Sequence, residues 1–417
     1  MIPIRWSIAA LLFLSTVINY VDRQTLSVVA PVLTRELNLS PLEYSHILTA
    51  FLTAYTLMYL GSGFLVDRWG TRTALAVFMV WWSISNMLHG LARGAVQLGM
   101  LRVLLGLGEA GNFMAAFKAI SEWYPAKERA FVNGLVQAGA SVGAILAPPV
   151  VTLLMHWYGW RWAFVATGSL GFFWLGAWLY FYYSPEKHPR VSEGERELVL
   201  AATRGLRKSD LTWRDLLRFR QTWGLLLARF FSDPVWWFFL FWLPKYLVDN
   251  RGFTVAEMGM IAWMPYLTAD AGSILGGLAS DRLVRRNWGV LNARTAAMLP
   301  FALLMPLSAA VAFTSSRYAA LGLICLVTFA HMAWKTNLVT VTNDLYPANI
   351  VGSLAGIVAF GNGLGGTLFT ILTGWIVQNF GYTSIFIIMG CMHPTAFLIF
   401  RALVRGPVRS EHANQEG

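Results

Sequence analysis

Charged residues are scarce in this chain: Asp, Glu, Lys and Arg make up 13% of its 417 residues. Soluble domains contain about 25%, so this sequence has too few charges to cover a surface in water. Hydrophobic residues make up 56%, and apolar tracts recur along nearly the whole length. A membrane-spanning helix needs roughly 20 predominantly apolar residues. The composition therefore predicts a polytopic membrane protein, and the unbroken apolar runs favour helices over barrel strands.

Several chemical signatures are also missing. The chain has two cysteines, both within predicted membrane helices, so no disulfide framework is expected. It contains no Walker motif, no nucleophile elbow and no metal-ligand spacing, which argues against ATP hydrolysis, enzymatic catalysis and a bound metal or other cofactor. Two G-x-G-x-x-G patterns, at 106–111 and 361–366, lie within apolar helices rather than after strands. Close helix packing explains them better than dinucleotide binding.

The net charge of +11 is interpreted as an orientation signal. With the N-terminus inside, most Lys and Arg residues fall in loops on the cytoplasmic side, as the positive-inside rule requires. This distribution predicts that both termini are cytoplasmic, and it argues against a nucleic-acid partner. The first helix lacks a small-residue cleavage site and is expected to remain as an anchor.

The apolar tracts predict twelve helices, separated into two halves by one long polar stretch. The predicted domains are an N-terminal bundle at 1–183, a cytoplasmic connector at 184–220 and a C-terminal bundle at 221–417. The predicted helices span 5–30, 44–65, 73–92, 97–119, 130–155, 161–182, 221–247, 257–280, 293–313, 317–342, 350–378 and 383–404.

The two halves repeat one another in sequence. The G-x-x-x-D-R sequence at 63–68 recurs at 277–282, an offset of 214, and the Y-P-A sequence at 124–126 recurs at 346–348, an offset of 222. Such duplication, with a substrate site between the halves near the membrane midplane, is a hallmark of secondary transporters. The offset of 222 also relates Gly134 to Gly356, Gly139 to Gly361, Gly143 to Gly365 and Gly159 to Gly381.

Four segments carry a family resemblance. The stretch 63–72 resembles the helix 2–3 loop signature of the major facilitator superfamily, and 102–110 resembles its helix-four signature. The stretch 19–23 is similar to the anion:cation symporter branch, and 232–244 looks most like bacterial hexuronate transporters. The resemblance implies an all-α polytopic membrane protein whose twelve transmembrane helices form two pseudo-symmetric six-helix bundles. It also implies alternating access around a central anion site.

Ionisable groups inside the predicted helices are the candidates for function. Each costs about 2.5–3.5 kcal/mol at membrane depth on translocon scales, so such groups mark transport pathways by default. The alternative is that they form pairs that merely lock helices together. These groups are Asp22, Arg23, Arg102, Glu109, Arg229, Asp233, Asp270 and Lys335.

The first-half groups have informative spacings. Arg102 and Glu109 are seven residues apart and so lie on nearly one helix face, whereas the adjacent Asp22 and Arg23 diverge by about 100°. A carboxylate beside a guanidinium ionises readily, while a desolvated one keeps its proton, and switching between these states is what proton coupling requires. The planar guanidinium of Arg23 matches a substrate carboxylate in bidentate geometry.

The resemblance assigns roles to the same residues. In related symporters the helix-one Asp and the helix-four Glu are the protonatable pair, and the following Arg contacts the anion. Carried over to this chain, Asp22 and Glu109 couple protons and Arg23 binds the carboxylate. Arg102 would influence the protonation of its neighbours.

Polar and aromatic groups in both halves are candidates for binding a polyol. The hydroxyls of Tyr20 and Tyr55 would bind substrate hydroxyls, and Trp334 offers a flat face for a sugar ring. Asn337 and Asn362 would also bind hydroxyls, although interhelical hydrogen bonding explains each asparagine about as well.

Lys335 departs from the hexuronate-transporter pattern, which has a small polar residue at this position. It would bind a second carboxylate, as on an aldarate, or pair with Asp233 or Asp270. His331, four residues earlier, has the side chain that titrates nearest neutral pH, but a lone helix histidine is more often structural.

The helix-loop signature predicts a gate. Asp67, with Arg68 and Arg72, would pair with a neighbouring arginine or with a helix N-terminus and hold the cytoplasmic side closed. Asp281 with Arg282 would do the same in the second half.

Together these features predict a monomeric symporter of a bacterial inner membrane that takes up a small organic anion with protons, a hexuronate such as glucuronate or galacturonate first. Another carboxylate (aldarate, aldonate, tartrate or an aromatic acid) and coupling to Na⁺ are the open alternatives. A drug antiporter is disfavoured because its ligands are bulky, apolar or cationic. A non-transporting membrane sensor would need an output domain, and the connector is short for one.

Overall fold

The computed structural model describes residues 3–124, 126–203, 213–346 and 351–406. Within these ranges the chain is almost entirely helical and contains no strand. The helices of the first half are α1 (Ile4–Glu36), α2 (Pro41–Trp69), α3 (Thr71–Leu88), α4 (Ala95–Glu109), α5 (Gly111–Trp123), α6 (Ala126–Tyr158), α7 (Trp160–Phe181) and α8 (Glu193–Thr203).

The remaining helices follow the same order as the predicted ones. They are α9 (Trp213–Leu216), α10 (Arg220–Ser232), α11 (Pro234–Asp249), α12 (Val255–Ile261), α13 (Met264–Arg285), α14 (Val290–Leu304), α15 (Ser308–Phe313), α16 (Arg317–Leu345) and α17 (Val351–Leu403). Short 3-10 turns occupy His89–Leu91, Pro185–Lys187 and Met305–Leu307.

Each of the twelve predicted helices has a counterpart. Within the described ranges, nine helices are long and apolar enough to cross a membrane, or ten when α2, bent by 53°, counts as one span. The long α17 is counted once there but covers two predicted helices, which meet at the non-helical Gly381. The remaining one, α13, contains Asp270 and Asp281 and ends with Arg282 and Arg285, so it is less uniformly apolar than the other spans.

The chain forms two compact units. The first holds the described residues of Met1–Leu206 together with Leu240–Met264, and the second holds those of Arg207–Phe239 and Pro265–Gly417. The C-terminal half of α11 therefore packs with the first half of the chain: Tyr44 of α2 donates a hydrogen bond to the backbone oxygen of Phe241 at 2.8 Å. The predicted division at 184–220 remains a prediction.

The connector contributes a helix cap to the first unit. Glu195 of α8 accepts hydrogen bonds from the backbone amides of Ile4 and Arg5, at 3.2 and 3.1 Å. These amides lie in the first turn of α1 and have no partner within their own helix. The carboxylate accepts their hydrogen bonds, and its negative charge interacts favourably with the helix dipole. Residues 204–212 of the predicted connector lie outside the described residues.

The repeated glycines bring pairs of helices together in both units, as the sequence predicts. On α6, a β-carbon at Gly139 or Gly143 would lie 2.6 Å from a backbone oxygen of α1, that of Phe13 or Val17. On α17, a β-carbon at Gly361 would lie 2.7 Å from the backbone oxygen of Leu226 on α10. Only glycine permits such an approach between helix backbones. The prolines of the repeated Y-P-A sequence lie outside the described residues.

Gly159 and Gly381 show the repeat in the backbone itself. Both have positive φ, at 81° and 73°, and each ends one long helix and begins the next. A residue with a β-carbon is strained in this conformation. The predicted correspondence between these two positions is therefore seen in their conformation as well as in their spacing.

Replacing Gly365 with alanine is expected to destabilise the protein. The new β-carbon would collide with the backbone oxygen of Phe230 on α10, and forced overpacking costs about 1–3 kcal/mol. The protein is heated in detergent, and the fraction that remains monodisperse is measured. The midpoint temperature of unfolding should be lower than in wild type. Gly356→Ala on the same helix is the matched control, because nothing lies within 4 Å of its added carbon. An equal effect of both variants would contradict the packing argument.

Candidate functional site

Arg23 and Glu109 form a buried ion pair. Nε of Arg23 on α1 donates to Oε2 of Glu109, the last residue of α4, at 2.8 Å, and the two side chains are 1% and 0% exposed. Nη2 of Arg23 also donates to Oδ1 of Asn19 at 3.1 Å. The other oxygen of Glu109, Oε1, has no hydrogen-bond partner in the described part of the chain. The arginine predicted to bind an anion is thus held by the glutamate predicted to carry a proton.

Aromatic rings surround the guanidinium of Arg23. Its carbon lies 4.6 Å from the ring centres of Tyr20 and Tyr55 and 5.3 Å from that of Phe51. Cation–π contacts of this kind stabilise a desolvated guanidinium. The hydroxyl of Tyr55 lies 2.7 Å from that of Tyr59. Both predicted tyrosines therefore contact Arg23. Phe51 contacts it as well, and Tyr59 contacts Tyr55.

Asp22 points away from Arg23, as the helical spacing predicts. Its Oδ1 accepts a hydrogen bond from Nδ2 of Asn86 on α3 at 2.7 Å, and the same amide lies 2.9 Å from Oγ1 of Thr167 on α7. Nothing in the sequence pointed to Asn86, because its partner lies 64 residues away on another helix. The two acidic residues predicted to couple protons therefore have different partners: an amide for Asp22 and a guanidinium for Glu109.

Arg102 lies beside this pair without joining it. Its Nη2 donates to the backbone oxygen of Arg23 at 3.3 Å, and its guanidinium carbon lies 5.5 Å from the ring centre of Phe51. Its Nε and Nη1 are buried and have no hydrogen-bond partner within the described residues. A buried guanidinium with unused donors can bind an incoming anion or stabilise an ionised neighbour.

The predicted residues of the second unit are mostly engaged in packing between helices. Asn337 donates to the backbone oxygens of Gly276 and Ala333, both at 2.9 Å. Oδ1 of Asn362 accepts from Nε1 of Trp237 at 2.9 Å. Trp334 is fully buried in the hydrophobic core of this unit. These placements favour the structural interpretation of all three predicted polyol ligands.

Lys335 does not pair with Asp233. That carboxylate pairs with Arg229, one turn earlier, with Nε of the arginine 2.6 Å from Oδ2. Lys335 forms no ion pair within the described ranges, and its Nζ lies 5.8 Å from the ring centre of Trp236. Within the described part of the chain, it is therefore a cation in a predicted membrane helix that pairs with no carboxylate.

The residues of the first predicted gate, Asp67, Arg68 and Arg72, do not pair with one another. Asp67 pairs with Lys118 of α5, with Nζ 2.8 Å from Oδ1, rather than with a neighbouring arginine. Arg72 donates to the backbone oxygen of Leu179 and lies over the ring of Tyr183 at 4.2 Å. Arg68 is exposed.

In the second unit, Asp281 does pair with a nearby arginine. This arginine is Arg294, whose Nη1 lies 2.6 Å from Oδ1 of Asp281 and whose Nε lies 3.2 Å from Oδ2 of Asp344. Arg282 is exposed. A gating role for either set remains a prediction.

The two G-x-G-x-x-G patterns lie within helices, at the junction of α4 and α5 and in α17. A β-carbon at Gly106 would lie 2.6 Å from the backbone oxygen of Phe51, so this glycine serves helix packing. In the described ranges, no group of three or more His, Cys, Asp or Glu side chains could hold a metal ion.

The chain is similar to known proteins over its length. The family model of the Major Facilitator Superfamily matches residues 12–370. The hexuronate transporter of Escherichia coli K12 is 33% identical over 99% of this chain and 96% of its own. The galacturonate transporter of Dickeya chrysanthemi is 37% identical over 66% of this chain and 81% of its own. A solved D-xylose-proton symporter superposes with a TM-score of 0.77 at 18% identity, covering 96% of this chain and 98% of its own.

Proposed function

Because the chain belongs to the major facilitator superfamily, we propose that it imports a hexuronate together with protons by alternating access. The names of its hexuronate and galacturonate relatives support this substrate class. The observation that carries the proposal is the buried pair of Arg23 and Glu109. In this pair, a side chain suited to a substrate carboxylate is held by a protein carboxylate that can take a proton.

The geometry suggests an exchange of partners at Arg23. When Glu109 takes a proton from the outside, an O–H bond forms on its carboxylate and the attraction to Arg23 weakens. A sugar-acid carboxylate then pairs with the guanidinium, which presents a planar set of donors. On the cytoplasmic side Glu109 loses the proton, pairs with Arg23 again and displaces the anion. Proton and anion therefore travel together.

Asp22 supplies a second proton-binding group in this proposal. The amide of Asn86 donates to Oδ1 of Asp22, which stabilises the carboxylate without neutralising its charge. Asn86 and Thr167 thus orient a group that Arg23 does not hold. Arg102, two of whose donors have no partner among the described residues, would favour the ionised state of the acidic groups once the substrate has left.

The transport test uses purified protein in proteoliposomes with labelled D-glucuronate and D-galacturonate. We expect accumulation above the external concentration when an inward proton gradient is imposed, and its loss when a protonophore collapses that gradient. A sodium gradient at equal pH on both sides tests the coupling ion and is expected to drive no accumulation. If folded protein carries neither sugar acid, the hexuronate proposal is wrong.

A dicarboxylate is the second candidate substrate, because Lys335 lacks a carboxylate partner within the described ranges. A second carboxylate on an aldarate would supply one. Unlabelled galactarate that suppresses D-glucuronate uptake more strongly than D-galacturonate does would favour this candidate. Equal suppression of uptake by the two hexuronates and none by galactarate would exclude it.

The chain is a multi-pass membrane transporter and not an enzyme. We propose that it lies in a bacterial inner membrane as a monomer, with both termini cytoplasmic and without a bound cofactor. The bacterial relatives and the excess of Lys and Arg in alternate loops support this arrangement.

A further inference from the structure

A buried histidine pair lies in the second unit. Nδ1 of His331 on α16 lies 3.1 Å from Nε2 of His393 on α17, and both side chains are fully buried. The outer ring nitrogens, Nε2 of His331 and Nδ1 of His393, have no hydrogen-bond partner among the described residues. A neutral imidazole has one donor and one acceptor nitrogen. One outer nitrogen of the neutral pair is therefore an unfilled acceptor.

The ring of Trp236 lies against both His331 and the ammonium group of Lys335. Its ring lies parallel to that of His331, with centroids 6.0 Å apart and an interplanar angle of 6°. Nζ of Lys335 lies 5.8 Å from the centre of the same ring. Lys335 follows His331 by four residues, so the two side chains lie on one face of α16.

Two charged side chains of a neighbouring helix compensate one another. Arg229 of α10 pairs with Asp233, the residue that follows this helix, with Nε 2.6 Å from Oδ2. Trp334, whose ring lies 5.7 Å from that of His393, has no charge. Tyr266 of α13 packs against Trp236 at 5.8 Å. Lys335 is therefore a positive charge beside the histidines that pairs with no carboxylate in the described part of the chain.

We propose that His331 and His393 form a third proton-binding site, which fills when a substrate carboxylate neutralises Lys335. The idea rests on the proposed function only for the identity of the anion. An incoming proton from solvent forms an N–H bond at the unfilled outer nitrogen, and the positive charge is shared across the hydrogen bond between the rings. The proton leaves by the same nitrogen when the anion departs.

Electrostatics explains why proton and anion bind together at this site. Two positive charges one helical turn apart repel strongly in a low-dielectric interior, so an unneutralised Lys335 disfavours an imidazolium. A carboxylate on Lys335 removes that repulsion. Because coupling between two binding events is reciprocal, a protonated histidine pair also strengthens anion binding.

The first test measures proton uptake when D-glucuronate binds to the purified, weakly buffered transporter. His393→Gln, whose amide can still hydrogen-bond to His331, should bind the anion with about one proton fewer than wild type. His89→Gln is the matched control: this buried histidine bonds to the backbone oxygen of Ser85 at 2.7 Å, and its loss should leave proton uptake unchanged. Unchanged proton uptake in His393→Gln, with normal anion binding, would refute the histidine site and leave the proposed function standing.

The second test needs no anion. The chain has seven histidines, and ring ¹⁵N signals lost in His331→Gln and His393→Gln identify the pair in a histidine-labelled sample. Lys335→Gln removes the repelling charge, so these two rings should protonate at a pH about one unit higher than in wild type. If the rings titrate at the same pH in both proteins, the coupling to Lys335 is wrong. This result stands even if D-glucuronate does not bind, an outcome that would contradict only the proposed substrate.

Discussion

Uptake of D-glucuronate is expected to fall by at least about 100-fold when Arg23 is replaced with lysine. Lysine keeps the positive charge and can still pair with Glu109, so the fold is expected to persist. It loses the planar set of donors that binds a carboxylate through two parallel hydrogen bonds, and it stacks less well between Tyr20 and Tyr55. The measurement is the initial rate of uptake at several substrate concentrations. We expect the apparent KM to rise more than the maximal rate falls.

The control for this variant is Arg161 of α7, which pairs with Glu36, the last residue of α1. Arg161 pairs with Glu36 at 2.6 Å, the same two groups as in the buried pair, but their side chains are 44% and 43% exposed. Exposed pairs contribute about 0–1 kcal/mol, so Arg161→Lys should transport at nearly the wild-type rate. Similar losses in both variants would mean that arginine chemistry at Arg23 has no special part in binding.

Glu109→Gln is expected to lower proton-driven accumulation while leaving exchange intact. Glutamine cannot take up or release a proton, and a gradient concentrates the substrate about tenfold per pH unit for each coupled proton, so the loss of one coupled proton should lower accumulation by about tenfold per pH unit. The amide also no longer competes as an anion for Arg23. Counterflow of labelled against unlabelled D-glucuronate should therefore continue, and its pH dependence should flatten.

Glu36→Gln is the matched control for Glu109→Gln, because it removes a carboxylate from an arginine at an exposed site. Its accumulation and pH profile should match those of wild type. If Glu109→Gln accumulates the sugar acid as far as wild type does, Glu109 is not a coupling group and the exchange of partners at Arg23 is wrong. If counterflow is lost as well in folded protein, Glu109 is needed for substrate binding itself.

Much of the fold could be predicted because its determinants are local or periodic. Apolar runs of sufficient length give the helices, and the repeated glycines mark where helix backbones meet. Gly139 on α6 and Gly361 on α17 have this role because nothing larger fits against the neighbouring backbone. The apolar tracts also predicted α13, although its last turn carries Arg282 and Arg285.

The site could be predicted only in part. Adjacent residues on a helix must point apart, so Asp22 and Arg23 could be assigned different neighbours from the sequence. The identity of those neighbours depends on tertiary packing, and neither Asn86 nor His393 could be recognised in advance. Trp334 could not be assigned to a core or a cavity, because helical periodicity does not distinguish two buried faces within a bundle.

The two internal ion pairs have a consequence for electrical behaviour. Arg23 with Glu109 and Arg229 with Asp233 are each neutral, so neither moves net charge when an empty carrier returns across the bilayer. Moving one elementary charge across a membrane potential of 100 mV changes the free energy by about 2.3 kcal/mol. Moving a neutral ion pair across it changes the free energy by nothing. Voltage would then act on the empty carrier through Lys335, which pairs with no carboxylate among the described residues, and on the loaded form through each proton beyond the one that balances the sugar acid.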